Sequence, residues 1–247
     1  MLRYDVPMSL PAFASIPASL DALATPDTGF WPLVTGFGDG LMLFPVALLF
    51  AAWLARRAEG RPLARRWLVL LIGAIVLTSL SKLAFIGWGL GVASLDFTGI
   101  SGHAMFASAV YPLLAAALAG PADRRRQFAA AAAAYGLAVL VAVSRVMLDL
   151  HSVSEAVAGV LVGGTASALA LLATRPPRSR APLLLLPFAL ASWFWLTPAQ
   201  ELTHSRSHGV VTDLALALSG RPTPYTRNDM LRDWRLGKHA PLQALMR

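Results

Sequence analysis

The chain has 247 residues, of which 56% are hydrophobic and 14% are charged, and it contains no cysteine. The charged fraction is well below the roughly 25% of an average soluble domain, which excludes both an ordinary soluble protein and a disordered chain. Without cysteine, the chain has no disulfide framework and no thiolate nucleophile or metal site. The formal net charge is +8, but the arginines form short clusters between apolar runs. We therefore attribute the basic charge to membrane topology and expect no nucleic-acid partner.

The chain begins with a proline-rich segment, residues 1–30, which we predict to be irregular or interfacial. This segment lacks the basic start and continuous apolar core of a signal peptide. Phe30 and Trp31 at its end are suited to a membrane interface. We divide the rest into a transmembrane catalytic bundle at 31–198, with its core at 67–174, and a basic extramembrane tail at 199–247.

Several apolar stretches approach the length of about 20 residues that a helix needs to cross a bilayer. They predict an all-α, polytopic membrane helix bundle with about six transmembrane helices. Small residues recur in the fifth stretch and would let helices approach closely. The sixth is short and contains prolines, so it either spans the membrane or is re-entrant or interfacial. The stretches are 33–55, 67–90, 102–120, 127–147, 155–174 and 182–198.

The distribution of arginine predicts the orientation of the bundle. Loops 56–66, 121–126 and 175–181 are rich in arginine, whereas 91–101 and 148–154 contain neither lysine nor arginine. The first three are therefore predicted to be cytoplasmic and the other two to face outward. The basic tail lies outside if 182–198 spans and inside if it does not; we favour six spans. An apolar stripe at 209–218 predicts a helix that lies on the membrane surface or on the bundle.

Ionisable side chains cluster at the predicted outer ends of the spans. Insertion of such a residue costs about 2.5–3.5 kcal/mol, which makes each one a functional candidate. His151 and Glu155 are four residues apart, so on a helix they share a face within hydrogen-bonding reach. A carboxylate on one imidazole nitrogen fixes the tautomer and makes the other nitrogen a better nucleophile. Arg145 can hold two phosphate oxygens, and the turn 98–103 leads into a helix whose first amides favour an anion.

These residues resemble the signatures of the type 2 phosphatidic acid phosphatase family of membrane lipid phosphatases, whose superfamily includes the vanadium haloperoxidases. The family's third signature, Ser-Arg, five residues, His, three residues, Asp, is matched by Ser144, Arg145 and His151, with Glu155 in place of the aspartate. Its second, Pro-Ser-Gly-His, is matched by Ser101, Gly102 and His103, with Ile100 in place of the proline. Its first, Lys, six residues, Arg-Pro, keeps Lys82 but has Gly89 and Leu90 instead of Arg-Pro. The resemblance covers about residues 67–174.

The resemblance implies a haloperoxidase-like helical core and metal-independent hydrolysis of a lipid phosphate monoester or pyrophosphate, with no cofactor. It implies that His151 attacks phosphorus to form a phosphohistidine, that His103 protonates the leaving oxygen, and that Glu155 orients the nucleophile. The phosphate would be bound by the remaining matched residues: Lys82, Ser101, Gly102, Ser144 and Arg145. The expected setting is a bacterial inner membrane with the site facing the periplasm. The substrate would be a phospholipid or isoprenoid-lipid phosphate, with the lipid and the oligomeric state left open.

Other interpretations stay open at this point. Lys82 could extend to the interface, Arg145 could anchor a helix end, and Ser152 with Glu155 fits a capping box. Asp39 and Asp149 favour structural roles. The missing first-signature arginine allows a degenerate lipid-phosphate binder or transporter, and a lipid phosphotransferase is chemically adjacent. Basic tail residues are candidates to cover the site, with Arg206 nearest in sequence to a span.

Overall fold

The computed structural model describes residues 29–119, 123–173 and 206–238. Within these ranges the chain is helical and forms no β-strand beyond an isolated bridge between Val92 and Phe97. The α-helices in chain order are α1 (Phe30–Gly36), α2 (Gly40–Ala55), α3 (Arg61–Trp88), α4 (Gly102–Leu118), α5 (Arg124–Met147), α6 (Val153–Ala173), α7 (Arg206–Ser219) and α8 (Arg227–Arg235). A short 3₁₀ helix at Ala93–Leu95 lies between α3 and α4. The prediction of an all-α bundle is confirmed.

Among the described residues, three helices are long and apolar enough to cross a membrane, namely α3, α5 and α6. The apolar helices α2 and α4 are shorter, with 16 and 17 residues. The predicted sixth stretch, 182–198, lies outside the described residues, so the number of spans stays a prediction. Val69, Ile72 and Leu80 on α3 are 65%, 57% and 55% exposed. Such a face is stable in lipid, because hydrocarbon chains take the place of a protein neighbour.

The predicted stretch 33–55 forms two helices instead of one. The helix breaks at 37–39, within a run where Gly36, Gly38 and Gly40 alternate with other residues and lower helix propensity. The hydroxyl of Tyr111 on α4 donates to the freed carbonyl of Phe37. The break places Asp39 inside the bundle, where it is buried.

Helix α4 is central and packs most extensively against α5 and α6. Glycines on α6 face α4, as the small residues of this stretch predict. A Cβ added at Gly159 would lie 2.5 Å from the carbonyl oxygen of Ser101, and one at Gly163 would collide with the Met105 carbonyl. The start of α6 is thereby held against the start of α4.

The main hydrophobic core lies at the other end of α4. Phe50, Trp67 and Leu113 are fully buried there, and the indole Nε1–H of Trp67 donates to the Ala109 carbonyl at 3.0 Å. This arrangement fixes the relative positions of α2, α3 and α4. It leaves the opposite end of the bundle free for polar side chains.

Helix α7 packs on the bundle against α3, which is one of the two positions expected for the 209–218 stripe. Its contact face is formed by Ala215, which is fully buried beside α3, and Val211. Val210, Leu214 and Leu218 of the predicted stripe instead point away from the bundle, with exposures of 69%, 47% and 60%. The tail therefore has an apolar outer face and a close-packed inner face.

Candidate active site

A cavity of about 720 Å³ opens where α3 ends, α4 begins, α5 ends and α6 begins. The predicted topology requires these four helix ends to meet, and the structure brings them together. Most of the residues singled out from the sequence line the cavity. They are Lys82, Gly102, His103, Arg145 and His151.

Glu155 and His151 form the pair that their spacing predicts. The Nδ1 of His151 lies 2.7 Å from Oε2 of Glu155, whose side chain is fully buried. A buried carboxylate accepts a proton-bearing Nδ1, so the lone pair of the imidazole is on Nε2. His151 itself is 13% exposed and lines the cavity. The geometry therefore provides an oriented imidazole with a basic nitrogen.

The carboxylate of Glu155 is held by donors from several segments. The backbone N–H of Thr98 donates to Oε1 at 2.7 Å, and the Thr98 hydroxyl donates to the same oxygen. The N–H of Ser152 donates to Oε2 at 3.1 Å, and the N–H of Glu155 donates to the Ser152 hydroxyl at 3.4 Å. Both halves of a capping box are thus present, and the same side chain also orients His151. Glu155 therefore caps the start of α6 and also orients His151.

His103 lies beside Asp39, for which we expected a structural role from the sequence. Its Nε2 is 3.9 Å from Oδ2 of Asp39, and both side chains are buried. The carboxylate of Asp39 therefore lies close to the His103 imidazole inside the bundle. The break between α1 and α2 creates this contact. A helix interruption cannot be located from apolar periodicity alone, because a few glycines are tolerated in an apolar helix.

Arg145 is buried inside the bundle and so does not act as an exposed interfacial anchor. Its Nη1 donates to the Thr35 hydroxyl at 3.0 Å, and its Nε is buried without a hydrogen-bond partner among the described residues. Lys82 lines the same cavity instead of extending to the helix end. An unpaired guanidinium N–H beside a second cation suits an anionic ligand, because it would satisfy both.

The start of α4 adds backbone donors. Ser101 is the N-cap residue of this helix, and its side chain caps no backbone N–H. The first amides of α4, beginning at Gly102, therefore remain free of an intrahelical acceptor and lie at the positive end of the helix. The Ser101 hydroxyl is buried without a partner among the described residues. Ser144 lies apart, since its hydroxyl donates to Val141 within α5 at 2.6 Å.

The titration of His151 follows from its surroundings, because this residue lies in the loop between α5 and α6. Burial lowers the pKa of the His151 imidazole, the hydrogen bond to Glu155 opposes this, and the charges of Lys82 and Arg145 lower it further. The neutral, nucleophilic form therefore persists below the usual value of about 6.5.

Comparison with known proteins covers part of the chain that builds this cavity. A model of the PAP2 superfamily matches residues 86–179, which contain His103, Arg145, His151 and Glu155. A protein of Klebsiella pneumoniae described as an "uncharacterized 22.5 kDa protein in cps region" is 35% identical over 212 residues, covering 81% of this chain and 97% of that protein. The chain belongs to the PAP2 superfamily. Membership indicates phosphatase-type activity on a phosphate substrate. No solved structure matches the chain.

The structure also brings to this cavity a residue far outside the range that the PAP2 model matches. Arg227, at the start of α8, lines the cavity and places its Nη2 2.8 Å from Oε2 of Glu155. Its Nη1 lies 2.7 Å from Oδ2 of Asp96. From the sequence we expected a basic residue of the tail to cover the site, with Arg206 as the residue nearest to a span. The side chain of Arg206 lies outside the described residues. The local signal for Arg227 is the capping box of Thr226 and Asp229, which begins a helix at this residue.

Proposed function

We propose that the protein hydrolyses a lipid phosphate monoester or pyrophosphate without a metal ion, through a phosphohistidine on His151. The observation that carries the proposal is the His151–Glu155 pair within a cavity lined by Lys82 and Arg145. An oriented neutral imidazole is a nucleophile, and the surrounding cations stabilise charge that develops on the equatorial phosphate oxygens.

The proposed reaction has two transfers. In the first, Nε2 of His151 forms a bond to phosphorus while the bond from phosphorus to the leaving oxygen breaks, and His103 gives that oxygen a proton. In the second, His103 takes a proton from water, the water oxygen bonds to phosphorus, and the P–N bond breaks to release phosphate and free His151. The carboxylate of Asp39 lies 3.9 Å from Nε2 of His103, the imidazole to which this mechanism assigns the proton transfers.

The lipid nature of the substrate is supported by an apolar cavity of about 390 Å³ that adjoins the polar one. Lys82, Gly102 and Phe106 line both cavities. The apolar cavity lies between α2, α3 and α4, with Phe44, Ile75 and Met105 among its lining residues. A phosphate at Lys82 would therefore have a place for the first carbons of a hydrocarbon chain beside it.

We further propose that the site faces the periplasm of a bacterial inner membrane. The site end of the bundle carries the loop after α3 and the loop between α5 and α6, which contain no lysine or arginine at 91–101 and 148–152. The loop between α2 and α3, at the other end, contains Arg56 and Arg57, and Arg61 begins α3 directly after it. Positive residues in short loops favour the cytoplasmic side.

The test is phosphate release by the purified protein in detergent with EDTA present throughout. The panel comprises phosphatidic acid, phosphatidylglycerol phosphate, undecaprenyl pyrophosphate and a lipid A phosphate. We expect release by the native protein, loss of release in His151→Ala, and near-native release in the control Asp149→Asn, which alters an exposed residue of the same loop.

A second comparison tests the lipid assignment. Ile75→Trp fills the apolar cavity and should slow the long-chain substrate more than a short-chain analogue of the same headgroup. No release from any lipid by a folded native protein would contradict hydrolysis and favour the non-catalytic binder. Equal slowing of both chain lengths would contradict the apolar cavity as the chain site.

A further inference from the structure

The C-terminal segment occupies the position where the first signature departs from the family pattern. Gly89 ends α3 with φ of 70°, a left-handed conformation that other residues rarely adopt. A Cβ at Gly89 would lie 3.2 Å from the ring of Tyr225. The ring of Tyr225 thus occupies the space beside Gly89 that a side chain at this position would need.

Further contacts fix this part of the tail. The N–H of Tyr225 donates to the Ile86 carbonyl at 3.0 Å, and its ring meets the ring of Phe85 edge-on with centroids 5.6 Å apart. Burial and Asp233 raise the pKa of Tyr225 to about 12, so its hydroxyl stays protonated and donates to Asp233 at 2.9 Å. Met230 is buried beside Gly91.

The docked tail delivers Arg227, two residues after Tyr225, to the cavity. Its guanidinium shares Oε2 of Glu155 with Nδ1 of His151, so it lies beside the proposed nucleophile. Asp96 holds the other terminal nitrogen. A guanidinium has more N–H donors than these two bonds use, and the side chain is 32% exposed toward the cavity. The two carboxylates therefore hold a cation in place while leaving donors for an anion.

Unused donors in the cavity support an anionic ligand at this position. The charges of Lys82, Arg145 and Arg227 are balanced by the buried carboxylates Asp39 and Glu155 and by Asp96, which pairs with Arg227 at 2.7 Å. The Nε of Arg145 and the hydroxyl of Ser101 are nevertheless buried without a hydrogen-bond partner among the described residues. A phosphate would satisfy donors that these residues leave unused.

We propose that Arg227 supplies the phosphate-binding guanidinium that the first signature lacks, delivered from the C-terminal segment instead of from the end of α3. The proposal rests on the proposed function for its substrate class. It assigns to Arg227 direct contact with the phosphate, and to the stretch from Gly89 to Gly91 the role of a docking surface for the tail.

The test compares Arg227→Ala and Arg227→Lys with Arg235→Ala, which removes a positive charge from an exposed position of the same helix. Loss of one preorganised donor typically reduces the rate by about 10²–10³, and we expect kcat/KM of Arg227→Ala to fall in that range. Arg227→Lys should recover only part of this loss, because an ammonium cannot form the planar fork. Arg235→Ala should stay near the native value.

Two readouts separate phosphate contact from a structural role. The inhibition constant of inorganic phosphate should rise in Arg227→Ala, and added guanidinium ion should restore part of the activity. If Arg227 only attaches the tail, Arg227→Ala loses thermal stability while the phosphate inhibition constant stays native and guanidinium restores nothing. That result, or native kcat/KM in Arg227→Ala, would overturn the proposal.

A third readout does not depend on turnover. Inorganic phosphate should raise the melting temperature of the native protein and of Arg235→Ala but not of Arg227→Ala. If the native protein releases no phosphate from any lipid, the proposed function fails while this difference still supports Arg227 as an anion ligand. Equal protection of all three proteins, or of none, would refute the contact.

Discussion

Replacement of Glu155 by glutamine tests how the site orients its histidine. In the native protein Oε2 accepts from His151, Ser152 and Arg227 at 2.7, 3.1 and 2.8 Å, and Oε1 accepts from the N–H and hydroxyl of Thr98. An amide offers one oxygen and one NH₂ group in place of two accepting oxygens. Its oxygen is expected to face the larger set of donors, which leaves the NH₂ against Thr98.

This orientation sets the expected magnitudes. The Thr98 hydroxyl can rotate to accept, but its backbone N–H loses an acceptor in a half-buried position, which costs about 1 kcal/mol of unfolding free energy. His151 keeps its tautomer but loses the charge that stabilises its positive form. We expect kcat/KM to fall about 10²-fold, and by roughly 10⁴ if the amide turns its NH₂ toward the imidazole.

The assay is phosphate release against substrate concentration, together with a melting curve in the same detergent. Thr98→Val is the matched control, because it removes one hydroxyl donor from the same carboxylate and keeps the backbone bond. We expect it to cost less than about tenfold in kcat/KM. Activity of Glu155→Gln within threefold of native, with the melting temperature lowered, would show that Glu155 only caps α6, and the orienting role would be refuted.

Three further predictions follow from the same geometry. Lys82 lowers the pKa of His151, and the neutral imidazole is the nucleophile, so kcat/KM should fall with acid only below pH 6.5. Lys82→Met should move this acidic fall in the pH profile of kcat/KM to higher pH. A fall at the same pH as in the native protein would contradict the effect of Lys82. Asp39→Asn removes the charge beside His103 and should lower kcat by about 10–10²-fold with little change in KM, as steady-state kinetics would show; a loss confined to KM would argue for a binding role. In this cysteine-free chain, a single cysteine at Leu95 should react with a membrane-impermeant maleimide on intact spheroplasts while one at Ala58 should not, and the reverse pattern would contradict a periplasmic site.

The part of the site that sequence reveals is the part built from local spacing. His151 and Glu155 are four residues apart, and this short spacing predicts their proximity. The contact does not follow from the helical period, because His151 lies before the start of α6 and Glu155 reaches back to it from the first turn. The apolar runs likewise predict the helices, because length and hydropathy decide whether a segment can be buried in lipid. The arrangement of helix ends then follows from the alternation of the runs.

The remaining residues reach the site through tertiary contacts that leave no periodic signal. Arg227 is 72 positions from Glu155, and only the docked tail brings them together. Asp39 depends on a helix break within an apolar stretch, and Thr98 acts partly through its backbone N–H, which any residue but proline provides. Ser144 shows the opposite case, since it matches the signature while its hydroxyl bonds within its own helix.

The proposed mechanism requires that His151 becomes phosphorylated during turnover. The direct measurement is rapid mixing of the protein with a lipid substrate carrying ³²P in its terminal phosphate, quenching in alkali, where phosphohistidine survives, and mapping of the labelled peptide. We expect acid-labile label on the peptide that contains His151, formed within one turnover, and none in His151→Ala. Turnover with no label, or label on a peptide without His151, would contradict it.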